Sequence, residues 1–104
     1  GIYQGQPEYE ELYAELNRRK AVVFIHPTMH TSSMQLGMDL PGFMVEFLFD
    51  TTRCIANLIF KGVLERYPDI RFIMSHAGGT APYAAYRLDA CETLTKRLLA
   101  ELAA

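Results

Sequence analysis

The sequence predicts an α/β fold, and three observations predict it. Two short runs rich in apolar residues, AVVFI at 21–25 and IRFIM at 70–74, each end at a histidine, His26 directly and His76 after Ser75. Between them runs a long segment with helical spacing of polar and apolar residues, and further helical patterns flank the pair. A strand, a crossover helix and a second strand make a βαβ unit, with parallel strands and a right-handed connection.

The first element is a helix of about three turns over 8–20, EYEELYAELNRRK. Tyr9, Leu12, Tyr13 and Leu16 recur at spacings of three and four. Acidic residues open it and Arg18, Arg19 and Lys20 close it, which suits the helix dipole. The strand at 21–25 stops at His26-Pro27, because proline cannot donate to a ladder. Being apolar on both faces, it is expected in a covered parallel sheet. Residues 27–42, PTMHTSSMQLGMDLPG, show no period and read as one long loop, a length that tends to be functional. From about Val45 to Tyr67 the pattern is helical, with a polar stripe of Asp50, Arg53, Asn57, Lys61 and Glu65. Leu48, Ile55, Ile59 and Val63 face the other way, and Pro68 stops the helix. After the second strand, HAGGT leads through Pro82 into a last helix with Ala84, Leu88, Cys91 and Leu98 on one face.

Composition narrows the function classes. The chain has 104 residues, half of them apolar, and its 10 Lys and Arg against 12 Asp and Glu give a net charge of −2. That fits one domain without an internal boundary, excludes a disordered segment, and leaves no basic excess for a nucleic-acid backbone. The longest apolar runs fall far short of the roughly 18 residues of a membrane span. The N-terminus lacks the basic start and apolar run of a signal peptide, so a soluble, cytoplasmic chain is expected. Cys54 and Cys91, 37 apart with no CxxC spacing, read as free buried thiols.

The candidate chemistry sits at the strand ends. Parallel neighbouring strands bring His26 and His76 to the same C-terminal sheet edge, where α/β folds bind ligands. Neutral imidazole offers a lone pair to a metal, and its pKa near neutrality suits proton transfer. A lone strand-end histidine is often structural; the repetition is what points to function. Gly78 and Gly79 precede a helix and allow close backbone approach, but neither GxGxxG nor GxSxG is present. His30 reads as an exposed loop histidine, and Arg53 as a structural charge in the polar stripe.

VVFIHP, followed by FDTTRCIANLIFKGVLERYPDIRFIMSHAGGTAPYAAYRLD, resembles the amidohydrolase-related decarboxylases of aminocarboxymuconate semialdehyde and ortho-hydroxybenzoates. The pairing of HPT with FDTTR is most similar to 6-methylsalicylate decarboxylases. The resemblance implies a partial (β/α)₈ TIM barrel over 1–104, about strands five and six with their helices. It implies His26 as a ligand of a divalent metal ion, zinc or manganese, and His76 as a catalytic proton shuttle. It also implies Arg87 as a substrate-carboxylate binder, in some members across a dimer interface; the alternative for Arg87 is a solvated helix charge. The substrate class implied is a small aromatic or unsaturated carboxylic acid. A lactone or amide hydrolase of the same superfamily is the alternative activity, and an inactive, self-associating fragment is a second alternative. The family's His-x-His or Glu-x-His strand and its terminal Asp strand have no counterpart in these 104 residues. Bare sheet edges then predict a homo-oligomer.

Overall fold

Pro7, whose missing N–H costs nothing at a helix start, opens a single 3₁₀ turn over Pro7–Tyr9 that runs into α1 (Glu10–Arg18). The computed structural model describes residues 3–103. On the outer side of α1, Glu15 bonds Arg18 and Arg19 at 2.6 and 2.7 Å, and these guanidiniums hold its carboxyl down to about 2. On the inner side Tyr13 is buried; its hydroxyl donates to Gln4 Oε1 and accepts from the Gly5 N–H, both at 2.7 Å. Leu12, expected on the same face, is instead half in solvent.

Strand β1 (Val22–Ile25) pairs with β2 (Arg71–Met74) in parallel, with Val22 opposite Arg71 and Ile25 opposite Met74. The expected covered sheet is only half covered. Val23, Ile25, Phe72 and Met74 pack on a core of Tyr13, Cys54, Leu58, Val63 and Ile70. The other face leaves Val22 54%, Phe24 61% and Ile73 49% exposed, because no described element lies over it.

The long loop after β1 contains a short helix, α2 (Thr31–Met34), which the aperiodic sequence hid. His30 is its N-cap: its Nδ1 accepts from the Ser32 N–H at 3.1 Å, so it is half-buried and structural rather than a free loop residue. The expected helix over 45–67 is two helices, α3 (Glu46–Phe60) and α4 (Val63–Arg66). Gly62, at φ +70°, turns the chain between them.

The faces of α3 also differ from expectation. Asp50, Thr51, Cys54 and Leu58 are buried, whereas Leu48, Ile55 and Ile59 are half-buried. The helix has two apolar neighbours, not one. Cys54 and Leu58 face the core with the sheet, and Ile55 and Ile59 line a crevice with Ala81, Ala85 and Leu88.

The last helix, α5 (Ala85–Ala103), has no buried residue. Cys91 and Leu98, expected on a core face, are exposed, so only Cys54 is a buried thiol. A radius of gyration of 15.3 Å, against about 13 Å for a compact chain of this length, is consistent with such a helix standing off the core. No helix among the described residues is long and apolar enough to cross a membrane.

Candidate active site

Both strand-end histidines reach one place. The rings of His26 and His76 are 5.4 Å apart, centroid to centroid, and inclined at 64°. Phe47, on the first turn of α3, lies 6.0 Å from each ring. Parallel pairing explains the meeting: Ser75 N donates to Ile25 O at 3.1 Å, carrying the ladder one step past the strands. Both histidines are exposed, so the pair can be reached from solvent.

The tautomer of His26 follows from its partner. Nδ1 lies 2.8 Å from the Pro27 carbonyl oxygen, which can only accept, so Nδ1 carries the hydrogen. In the neutral ring the Nε2 lone pair is then free for a metal or a proton.

His76 is held by an unusual backbone. His76, Ala77, Gly78 and Gly79 have φ of 53°, 52°, 80° and 64° in succession. At the two non-glycine positions the left-handed conformation costs about 1–2 kcal/mol each. Gly79 has no alternative here: a Cβ on it would stand 2.3 Å from Leu48 O and 2.6 Å from Thr52 Oγ1. The turn therefore packs its backbone directly on α3.

A cleft of about 430 Å³ opens beside His26. His26, Tyr3, Met29, Asp50 and Cys54 line it; His76 does not. Asp50, expected on a solvated stripe, is the buried tie of this region. Its carboxylate accepts from the Tyr3 hydroxyl and, at 3.1 Å, from the Thr28 N–H. It thereby anchors the N-terminal segment and the loop after His26 to α3. Burial, reinforced by Asp50, pushes the Tyr3 phenol above its ordinary value. Burial likewise pushes the Cys54 thiol up to about 11, which keeps it protonated and unreactive.

Arg87 lies at the start of α5, exposed, and its guanidinium makes no hydrogen bond or ion pair among the described residues. Arg53 is also exposed and makes no ion pair among the described residues. It borders an apolar groove with Phe60, Leu88 and Cys91.

The metal implied by the resemblance can be tested against these side chains. His26 and His76 offer two imidazoles, and no group of three or more His, Cys, Asp or Glu side chains converges among the described residues. A catalytic zinc usually takes three protein ligands. The described residues therefore do not make a metal centre on their own.

A parallel βαβ unit with paired histidines beyond its strand ends is the architecture of one sector of an α/β domain. Residues 1–98 match the amidohydrolase family model, and the chain belongs to that family. Its relatives include the 6-methylsalicylic acid decarboxylase of Penicillium expansum, 38% identical over 97 residues that cover 93% of this chain and 30% of that protein. Decarboxylase macB of Penicillium terrestre is 41% identical over 90 residues, 82% of this chain and 27% of that one. A crystal structure of an amidohydrolase II superposes with a TM-score of 0.80 at 32% identity, over 88% of this chain and 30% of that chain. The chain thus spans less than a third of the length of these relatives.

Proposed function

We propose that this chain forms part of a non-oxidative decarboxylase acting on an aromatic or unsaturated carboxylic acid. The observation that carries the reading is the His26–His76 pair, 5.4 Å apart at adjacent parallel strand ends, in a chain about two-fifths identical to decarboxylases. In this reading the chain supplies about strands five and six of a barrel. His76 is the proton-transfer group. Its imidazolium delivers a proton to the carbon that bears the carboxylate. The carbon–carboxylate bond then breaks, its electron pair returns to the unsaturated system, and CO₂ leaves while the product keeps the proton. His26, with Nε2 free, is one ligand of the divalent metal, zinc or manganese, that the family resemblance implies. The further ligands lie outside the described residues. Arg87 pairs with the substrate carboxylate, a task that suits a guanidinium fork. In the barrel the bare sheet face is the interior, enclosed by the remaining strands; in the chain on its own a second copy covers it.

A graft tests the reading. These residues replace the matching segment of the Penicillium expansum enzyme, and CO₂ release from 6-methylsalicylate is followed. Turnover is expected, falling by about a hundredfold or more when His76→Asn is added. A folded graft that releases no CO₂ from a panel of such acids but opens lactones would reverse the assignment in favour of a hydrolase.

A further inference from the structure

We propose that Thr52 is a positioning residue for His76, acting through Thr80 and Gly79 without touching substrate. The Thr52 hydroxyl has one proton, and Leu48 O takes it at 2.7 Å. Its oxygen then accepts from the Thr80 N–H at 2.8 Å. The Thr80 hydroxyl, 2.9 Å away, must also be a donor to it, because the only proton on Thr52 is already committed. Every hydrogen-bonding position on that oxygen is used.

This clamp holds a turn that cannot hold itself in place on α3. Gly78 N donates to Ser75 O and Gly79 N to His76 O, but both bonds lie inside the turn and would travel with it. Among the described residues, the Thr52 hydroxyl makes the side-chain hydrogen bonds that join the turn to α3. Gly79 completes the fit, since its bare Cα lets the turn lie against Leu48 O and Thr52 Oγ1. Phe47, five residues before Thr52 on the same helix, sets the wall that both imidazoles meet. One rigid helix therefore places both the wall and the hinge of His76. Losing the clamp frees the left-handed turn to relax and carries the imidazole away from His26.

The inference deepens the proposed role of His76 and takes its functional meaning from it. Its test reads structure rather than CO₂ release, so the two can fail separately. Uniformly labelled wild-type chain, Thr52→Val and Thr52→Ser are compared by NMR. In Thr52→Val the Thr80 amide is expected to exchange with solvent about tenfold faster. The cross-peaks from the His76 ring to Phe47 and His26 are expected to weaken, while the Tyr13 ring resonances of the core stay in place. Thr52→Ser keeps the hydroxyl and is expected to restore both signals. A folded Thr52→Val with wild-type His76 cross-peaks would overturn the proposal, as would a folded Thr52→Ser that loses them. If Thr52→Val does not fold, the wild-type chain decides: a Thr80 amide as unprotected as an exposed loop amide would equally overturn it.

Discussion

Gly79→Ala isolates how tightly the histidine-bearing turn is fitted to α3. Two costs add at this position. Gly79 sits at φ 64°, ψ −127°, a region that is closed to L-residues by contact of Cβ with its own backbone, and entry costs about 1–3 kcal/mol. The added Cβ would also meet Leu48 O at 2.3 Å, more than 1 Å inside ordinary contact, and a carbonyl in the first turn of a helix, bonded along its axis, cannot swing aside. Either α3 or the turn must move, which brings the total to about 3–5 kcal/mol. Gly37→Ala is the matched control. Its φ is +68°, but a Cβ there meets nothing within 4 Å, so it should cost only about 1 kcal/mol. Urea unfolding followed by far-UV circular dichroism gives both values. Equal losses for the two variants would refute the argument that close packing on α3, rather than backbone conformation alone, requires glycine at 79.

Four further outcomes are expected. Asp50→Asn replaces the buried acceptor of Tyr3 and Thr28 with a group that is half donor, and should cost about 1–3 kcal/mol in urea unfolding; a neutral result would show that the network is dispensable. The Cys54 thiol is raised from 9.0 to about 11 in the fold, so the native state holds its proton longer than the unfolded chain. Its contribution to stability is therefore complete below pH 9 and lost as pH rises towards 11, so the alkaline decline should be shallower in Cys54→Ala, the raised phenols of Tyr3, Tyr13 and Tyr67 supplying the rest. Phe24→Glu places a charge on the bare sheet face and should shift sedimentation towards monomer, with little change in stability because Phe24 is 61% exposed. The purified chain, dialysed exhaustively and analysed for zinc and manganese, should retain well below one ion per molecule, since no three-ligand group exists among the described residues. Stoichiometric metal that disappears in His26→Ala would instead show a site rebuilt between copies.

The two strands and the meeting of their histidines were legible because the signals are local. A short apolar run needs only its neighbours to declare itself, and Pro27 marks where pairing ends. Family membership was legible from the HPT, FDTTR and SHAGGT segments together. Asp50 was not. At helical spacing it looks like any solvated acid, and the partners that bury it, Tyr3 and Thr28, lie 47 and 22 residues away. The division of α3 between two apolar neighbours was hidden for a similar reason: one periodic stripe cannot show that a helix serves a sheet on one side and a second helix on the other. Thr52 and Thr80 meet across 28 residues, and nothing in a threonine's immediate sequence announces a clamp. His30 became a cap only because a one-turn helix follows it, too short to leave a period.

The left-handed backbone of His76 also governs how that residue may be interrogated. Alanine, the usual probe of a side chain's chemistry, is poorly suited to φ 53°, so a loss of activity in His76→Ala would mix a missing imidazole with a rearranged loop. Asparagine visits this conformation readily and carries no titratable ring. At position 76 the informative substitution is thus chosen by a dihedral angle before it is chosen by chemistry, and a library scored there without regard to φ would rank side chains by how well they turn a corner.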